Sequence, residues 1–330
     1  MPGESTTASG GVDDPTRQVR LLLGEREGAY DVLKCVFLEE PSLTLLRLLA
    51  ETDLVVFTST PAPPKHRRPE AGADTGAAFC GALAAVRQSL ERPDVLSDEH
   101  RQRLRWDYTR MFIGPGRVPA PPWESLYRDV ERLHFSTETL EVRAAYQKYG
   151  LLPAGFGREP DDHVGFELDF MRRLCALAGE RAGGADMAGV LAILEDQRAF
   201  LDDHLLRWIP EWAADVVTHA ETDFYRNMAR LLSSFVVFDR RTIDAQIGMA
   251  SSLAPRGPAG PKGPAPPTPS PGGPAGPEGP ASNSPSPGEP PAVVAAGGRG
   301  FSPGGSALRK RDPAVDAKAS RPGQRPTRRS

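Results

Sequence analysis

From Thr16 the apolar positions Val19, Leu22, Leu23, Tyr30, Leu33, Val36 and Phe37 recur at helical spacing until Pro41 stops the run. Ser42 is placed to cap a second helix carrying Leu45, Leu46, Leu48 and Leu49. The short run Leu54 to Phe57 has no strand partner in sequence and reads as loop or helix end. A further helix passes through Phe79, Leu83, Val86 and Leu90 and ends at Pro93. The next, capped by Ser97 with Asp98 and Glu99 behind it, runs through Leu104, Tyr108, Met111 and Phe112 to Gly114-Pro115-Gly116. Residues 117–123, with Pro119, Pro121 and Pro122, form a stiff irregular crossing, and helices resume over 125–132 and 137–149, the latter capped by Thr137 and closed by Gly150.

The segment from Glu159 to Met171 joins a turn to a helix. Pro160 suits a first helical turn, Asp161 or Asp162 caps the free N–H groups, and both acids suit the positive end of the helix dipole. Val164, Leu168, Met171 and Cys175 recur at i, i+4, i+7 and i+11 as one core-facing stripe, which leaves Asp162, His163 and Glu167 at the mouth of the helix. Helices over 187–206, 210–220 and 222–238 follow, with a short fraying segment to Met249. Nine or ten helices without a convincing strand predict an all-α fold: one globular helical domain over 16–250, with residues 1–15 disordered.

Composition changes near residue 250. Residues 251–330 hold 19 of the 34 prolines and 11 Lys/Arg against 4 Asp/Glu, a net of +7, while the first 250 hold 29 against 39, a net of −10. Glycine keeps a collagen period at 257, 260 and 263 and again at 273, 276 and 279, but both runs are too short for a triple helix, so 251–330 reads as a disordered Pro/Gly/Ser-rich basic tail. The acidic body is a poor binder of phosphate backbones and a plausible receptor for a basic peptide. Residues 58–75, with the basic patch Lys65-His66-Arg67-Arg68, read as a surface linker. Cys35, Cys80 and Cys175 are odd in number, far apart and in no metal-ligand spacing, which fits a reducing compartment, with Cys35 and Cys175 as small core residues. The chain has no apolar run of about 18 residues and no signal-like N-terminus, so neither export nor membrane insertion is expected.

Catalytic motifs are sparse. His163 and Glu167, four residues apart, form half of a metal site to which His204 could add a ligand, but no second histidine follows at i+4 and no cysteine cluster exists. Gly114-Pro115-Gly116 follows a helix rather than opening one and lacks the Lys-Ser/Thr partner of a phosphate loop. Tyr108, Phe112 and Trp123 flank the crossing, where they could line a groove for an apolar peptide. The acids at Asp161 and Asp162 would add a site for arginine.

Two stretches and a weaker third resemble the TorD/DmsD family of redox-enzyme maturation chaperones. They are Tyr108-Thr-Arg-Met-Phe112-Ile-Gly114-Pro115-Gly116 followed by Ala120-Pro-Pro-Trp123-Glu-Ser125, then Glu159 to Met171, and third Phe200-Leu-Asp-Asp-His204-Leu-Leu-Arg-Trp208-Ile-Pro210. The resemblance spans about residues 20 to 240 and implies an all-helical cytoplasmic protein that is not an enzyme and carries no cofactor. It implies as partners a molybdopterin-dependent reductase catalytic subunit and its twin-arginine signal peptide, held back from export until the cofactor is inserted. It carries peptide binding onto Tyr108, Phe112, Gly114, Pro115, Trp123, Pro160, Asp162 and His163. Gly116 stands where other members place a bulky aromatic, and the tail has no counterpart in the family. Two alternatives remain: a metal-dependent enzyme using His163 and Glu167, and a nucleic-acid or protein adaptor acting through the basic tail.

Overall fold

The computed structural model describes residues 14–52, 54, 57, 73–116, 118–128, 137–153, 159–254 and 307–310. Its helices are α1 (Pro15–Leu38), α2 (Leu43–Glu51), α3 (Ala73–Leu90), α4 (Asp98–Tyr108), α5 (Ser125–Arg128), α6 (Thr137–Lys148), α7 (Val164–Gly183), α8 (Met187–Phe200), α9 (Leu206–His219) and α10 (Asp223–Leu253). The all-α reading therefore holds for the described chain. The caps are as the sequence reads at two starts, where Ser42 accepts from the Leu45 N–H and Ser97 from the His100 N–H, and α1 is capped by Asp14, which accepts from the Thr16 N–H.

The expected boundaries change in four places. Asp161 and Asp162 precede α7, and the residue that caps it is His163, whose Nδ1 accepts the Gly165 N–H at 3.0 Å. Pro210 lies inside α9, so the break expected between 206 and 210 is absent, and a wide π-type turn over 201–205, inside the expected 187–206 helix, joins α8 to α9. Helix α10 does not fray before 249 but continues to Leu253, because Gln246 and Ala250 remain on its buried face. Finally, β1 (Leu151–Pro153) pairs antiparallel with β2 (Leu308–Lys310), so four residues of the expected disordered tail, 307–310, are ordered against the body. The expectations for residues 1–13, for most of the 58–75 linker with its basic patch, for 129–132 and for most of the tail fall outside the described residues.

Helix α1 lies along α7, and α10 runs past α3, α8 and α9. The stripe Val164, Leu168, Met171 and Cys175 is sealed from solvent, each apolar side chain contributing roughly 1.5–3 kcal/mol on burial. At Gly165 the approach of α1 leaves no room for a side chain, since a Cβ there would lie 2.6 Å from Leu38 Cδ1. One buried ionic centre ties α1 to α10. Arg26 grips Asp239 with two hydrogen bonds of 2.6 and 2.9 Å and reaches the Gln246 Oε1, while the Tyr30 hydroxyl donates to Asp239 at 2.7 Å. Cys175 is buried beside this centre with its thiol pushed up to about 12, Cys35 is half-buried against the core, and Cys80 is exposed.

Candidate functional site

The proline-rich crossing folds back onto the start of α7. Prolines at 119, 121 and 122 keep it extended, and two main-chain hydrogen bonds tie its end to the facing turn. The Val164 N–H donates to the Pro122 carbonyl at 2.9 Å, the Glu124 N–H donates to the Asp162 carbonyl at 3.0 Å, and Trp123 faces His163 across an antiparallel bridge. The rings of Trp123 and His163 meet edge to face with centroids 5.8 Å apart. The crossing is also held from below, where Trp212 of α9 donates to the Ala120 carbonyl and the Ala120 N–H reaches Met111.

Asp162 is the clasp of this arrangement. It is fully buried, and its two carboxylate oxygens accept the Ser125 N–H at 2.8 Å and the Thr139 hydroxyl at 3.1 Å, joining the crossing, α6 and α7. Asp161 is equally buried, takes Arg143 at 2.6 Å, and receives the Tyr146 hydroxyl on its carbonyl. Burial raises the Asp161 pKa against the opposing pull of Arg143. Neither acid is open to an incoming arginine, which corrects the expectation that they form a surface receptor.

The aromatic residues divide in the same way. Tyr108 and Phe112 are buried, Phe112 inside a cage of Phe37, Tyr108, Trp212 and Tyr225, so they carry the crossing from beneath and do not line an open groove. Phe112 belongs to a second π-type turn, Thr109–Ile113, that ends where the Gly114 N–H donates to the Thr109 carbonyl. Pro115 and Gly116 are exposed, with Gly116 at φ +100°, a conformation that suits glycine. Trp123, Glu159 and Pro160 are partly exposed, and Glu159 stands 3.9 Å from His163 Nε2. The accessible rim of the site is therefore Trp123 with Glu159 and Pro160.

Beneath the rim lies a polar cluster centred on Glu124. This fully buried carboxylate takes Arg128 at 2.7 Å on one oxygen and His204 Nδ1 at 2.9 Å on the other. Glu167, also fully buried, accepts the Trp208 indole N–H at 3.1 Å on one oxygen, and its other oxygen has no hydrogen-bond partner. Burial first, and the Glu124 charge second, hold its carboxyl protonated far above the ordinary range. His163, buried and accepting through Nδ1, has its pKa lowered by desolvation. The would-be metal ligands are thus engaged separately: His163 with Gly165, Glu167 with Trp208, His204 with Glu124. Among the described residues no group of three or more His, Cys, Asp or Glu is placed to hold a metal ion. Sequence reasoning missed Glu124 as the centre of this cluster, although Arg128 at i+4 is the spacing of a helical ion pair.

A second concavity, of about 730 Å³, opens between α3, α9 and α10 and is lined by small side chains such as Ala78, Ala82, Ala85, Ala213 and Ser234.

Comparison with known proteins bears on the first of these sites. A family model described as nitrate reductase delta subunit matches residues 74–214, which take in the crossing, the clasp and the Glu124 cluster. The chaperone protein TorD of Photobacterium profundum is 28% identical over 142 residues, 43% of this chain and 64% of that protein. DmsD of Haemophilus influenzae, carried as a Tat proofreading chaperone, is 27% identical over 136 residues, 40% of this chain and 57% of its own. These matches support the TorD/DmsD family of redox-enzyme maturation chaperones, on the part of the chain that carries the crossing and the clasp. A further TorD, from Vibrio cholerae, is 26% identical over 164 residues, 49% of this chain and 73% of that one. The match thus spans less than two thirds of the length of the first TorD relatives. A solved structure of a candidate redox enzyme maturation protein from Archaeoglobus fulgidus shares 19% identity and covers 71% of this chain and 99% of that one. Its TM-score is 0.36, at which the likeness carries no argument.

Proposed function

We propose that this protein is a cytoplasmic, non-catalytic chaperone of the TorD/DmsD family for a molybdenum-containing oxidoreductase, binding the enzyme's twin-arginine signal peptide and its apo form until the cofactor is in place. The observation that carries the reading is the Trp123 rim. A partly exposed indole is held edge-on by His163, with the partly exposed Glu159 carboxylate beside that imidazole and a net negative charge on the body. An apolar face next to a solvated acid suits a segment that carries both arginine and leucine-like side chains. In this reading Glu159 receives arginine, Trp123 and Pro160 take apolar contact, and Pro115 borders the peptide. Asp162, His163, Gly114, Tyr108 and Phe112 act through the rim by holding it in shape. The names of the TorD and DmsD relatives support the same class of partner.

Affinity capture with the full chain from cells grown to express molybdoenzymes tests the partner class. A molybdopterin-dependent reductase subunit should be enriched over a Trp123→Ala control. Equal recovery with both chains, or recovery of no redox enzyme, would contradict the proposal.

A further inference from the structure

Beyond residues 255–306, four residues return to the helical body and are gripped there. Ala307 and Leu308 are buried, and Leu308 has no exposed surface. Its backbone is read at both polar groups from one face of α7: the Leu308 N–H donates to Asp169 Oδ2 at 2.7 Å, and the Arg173 guanidinium donates to the Leu308 carbonyl at 2.8 Å. Asp169 and Arg173 are one helical turn apart, and Asp169 is fully buried with its other oxygen on Arg172. On the opposite side the segment pairs with β1 in the register Leu151–Lys310, Leu152–Arg309 and Pro153–Leu308.

The chemistry of the contact follows from the pairing. Hydrogen-bonded and non-hydrogen-bonded pairs alternate along an antiparallel ladder, and opposite Pro153 the N–H and C=O of Leu308 both turn away from β1 toward α7. Asp169 and Arg173 stand where a neighbouring strand would and satisfy both groups. What they recognise is a peptide backbone in extended form with one apolar side chain, a description that is not peculiar to this chain. The occupant continues as Arg309-Lys310-Arg311, and the body carries a net charge of −10, which favours basic peptides.

We propose that β1 with Asp169 and Arg173 is a strand-docking site for an extended, leucine-containing basic peptide of a partner protein, and that Ala307–Lys310 is its built-in occupant, which such a peptide displaces. A tethered occupant competes at its effective concentration rather than its bulk concentration, so the site is closed until a better peptide arrives. The inference stands on the β1–α7 geometry and does not rest on the signal-peptide reading of the Trp123 rim.

The probe is a fluorescent synthetic decapeptide with the sequence of residues 304–313, followed by anisotropy on full-length protein. Leu308→Asp should release the internal segment and bind the probe at least tenfold more tightly than the unaltered chain. A probe with aspartate at the leucine position should not bind the variant. Equal binding to both chains, or equal binding of both probes, would overturn the proposal. Amide hydrogen exchange on the unaltered chain gives a second measurement that does not depend on the variant folding. The Leu308 amide should be protected in the free protein and lose that protection when excess unlabelled decapeptide is added, whereas Leu151 and Leu152 keep theirs. A Leu308 amide that exchanges freely from the start, or one indifferent to the peptide, would refute the built-in occupant.

Discussion

Truncating Asp162 should destabilise the protein rather than merely weaken a surface. The carboxylate is fully buried and accepts the Ser125 N–H at 2.8 Å and the Thr139 hydroxyl at 3.1 Å. Asp162→Ala leaves both donors buried without an acceptor, at about 1–3 kcal/mol each, so the expected loss is about 4 kcal/mol. For a domain of this size that lowers Tm by about 8–16 °C. An exposed acid waiting for a peptide arginine would change stability by no more than about 0.5 kcal/mol when truncated. Thermal melts followed by far-UV circular dichroism, with urea titration as a check on two-state behaviour, distinguish the two cases. Asp162→Asn, which keeps one acceptor oxygen, should fall between Asp162→Ala and the unaltered chain. A Tm for Asp162→Ala within 2 °C of the unaltered chain would refute the clasp.

Two further predictions concern buried charge. Burial and the Glu124 charge hold Glu167 protonated in the folded state well above its ordinary 4.5, so between those values the unfolded chain releases the proton first and stability falls as pH rises. Glu167→Gln should therefore raise Tm at pH 8 by more than at pH 5, while a pH-independent difference would show that the carboxyl does not titrate in this way. Arg26→Ala strands Asp239 in the core and should cost about 3–5 kcal/mol. The double replacement Arg26→Met with Asp239→Leu should recover most of that loss in urea unfolding, and failure to recover it would argue for a requirement beyond charge pairing.

The elements legible in the sequence were those whose signal is local. Ser42 and Ser97 precede apolar runs and do cap them, and the stripe from Val164 to Cys175 is the buried face of α7. What escaped depends on distant partners. The Arg26–Asp239 pair joins residues 213 apart, and nothing near Arg26 announces that its helical face turns inward. Asp161 and Asp162 look like exposed cap residues because acids at a helix start usually are. Here Arg143, Thr139 and the Ser125 N–H draw them inside and leave the cap to His163. Tyr108 and Phe112 read equally well as groove or core, and only the rings of Phe37, Trp212 and Tyr225 decide for core. Strand β2 was hidden because Leu308 is one apolar residue in a basic, proline-rich stretch, and its grip comes from α7 side chains 135 and 139 positions away.

The peptide-binding account is tested most directly by calorimetry with a synthetic peptide carrying two consecutive arginines followed by a leucine-rich segment. Measurements would cover the unaltered chain, Trp123→Ala and Glu159→Gln, with melting temperatures recorded for all three. The account predicts about a tenfold or greater loss of affinity for each variant, with Glu159→Gln acting chiefly at low salt, and little change in Tm. Equal affinity across the three proteins would contradict it.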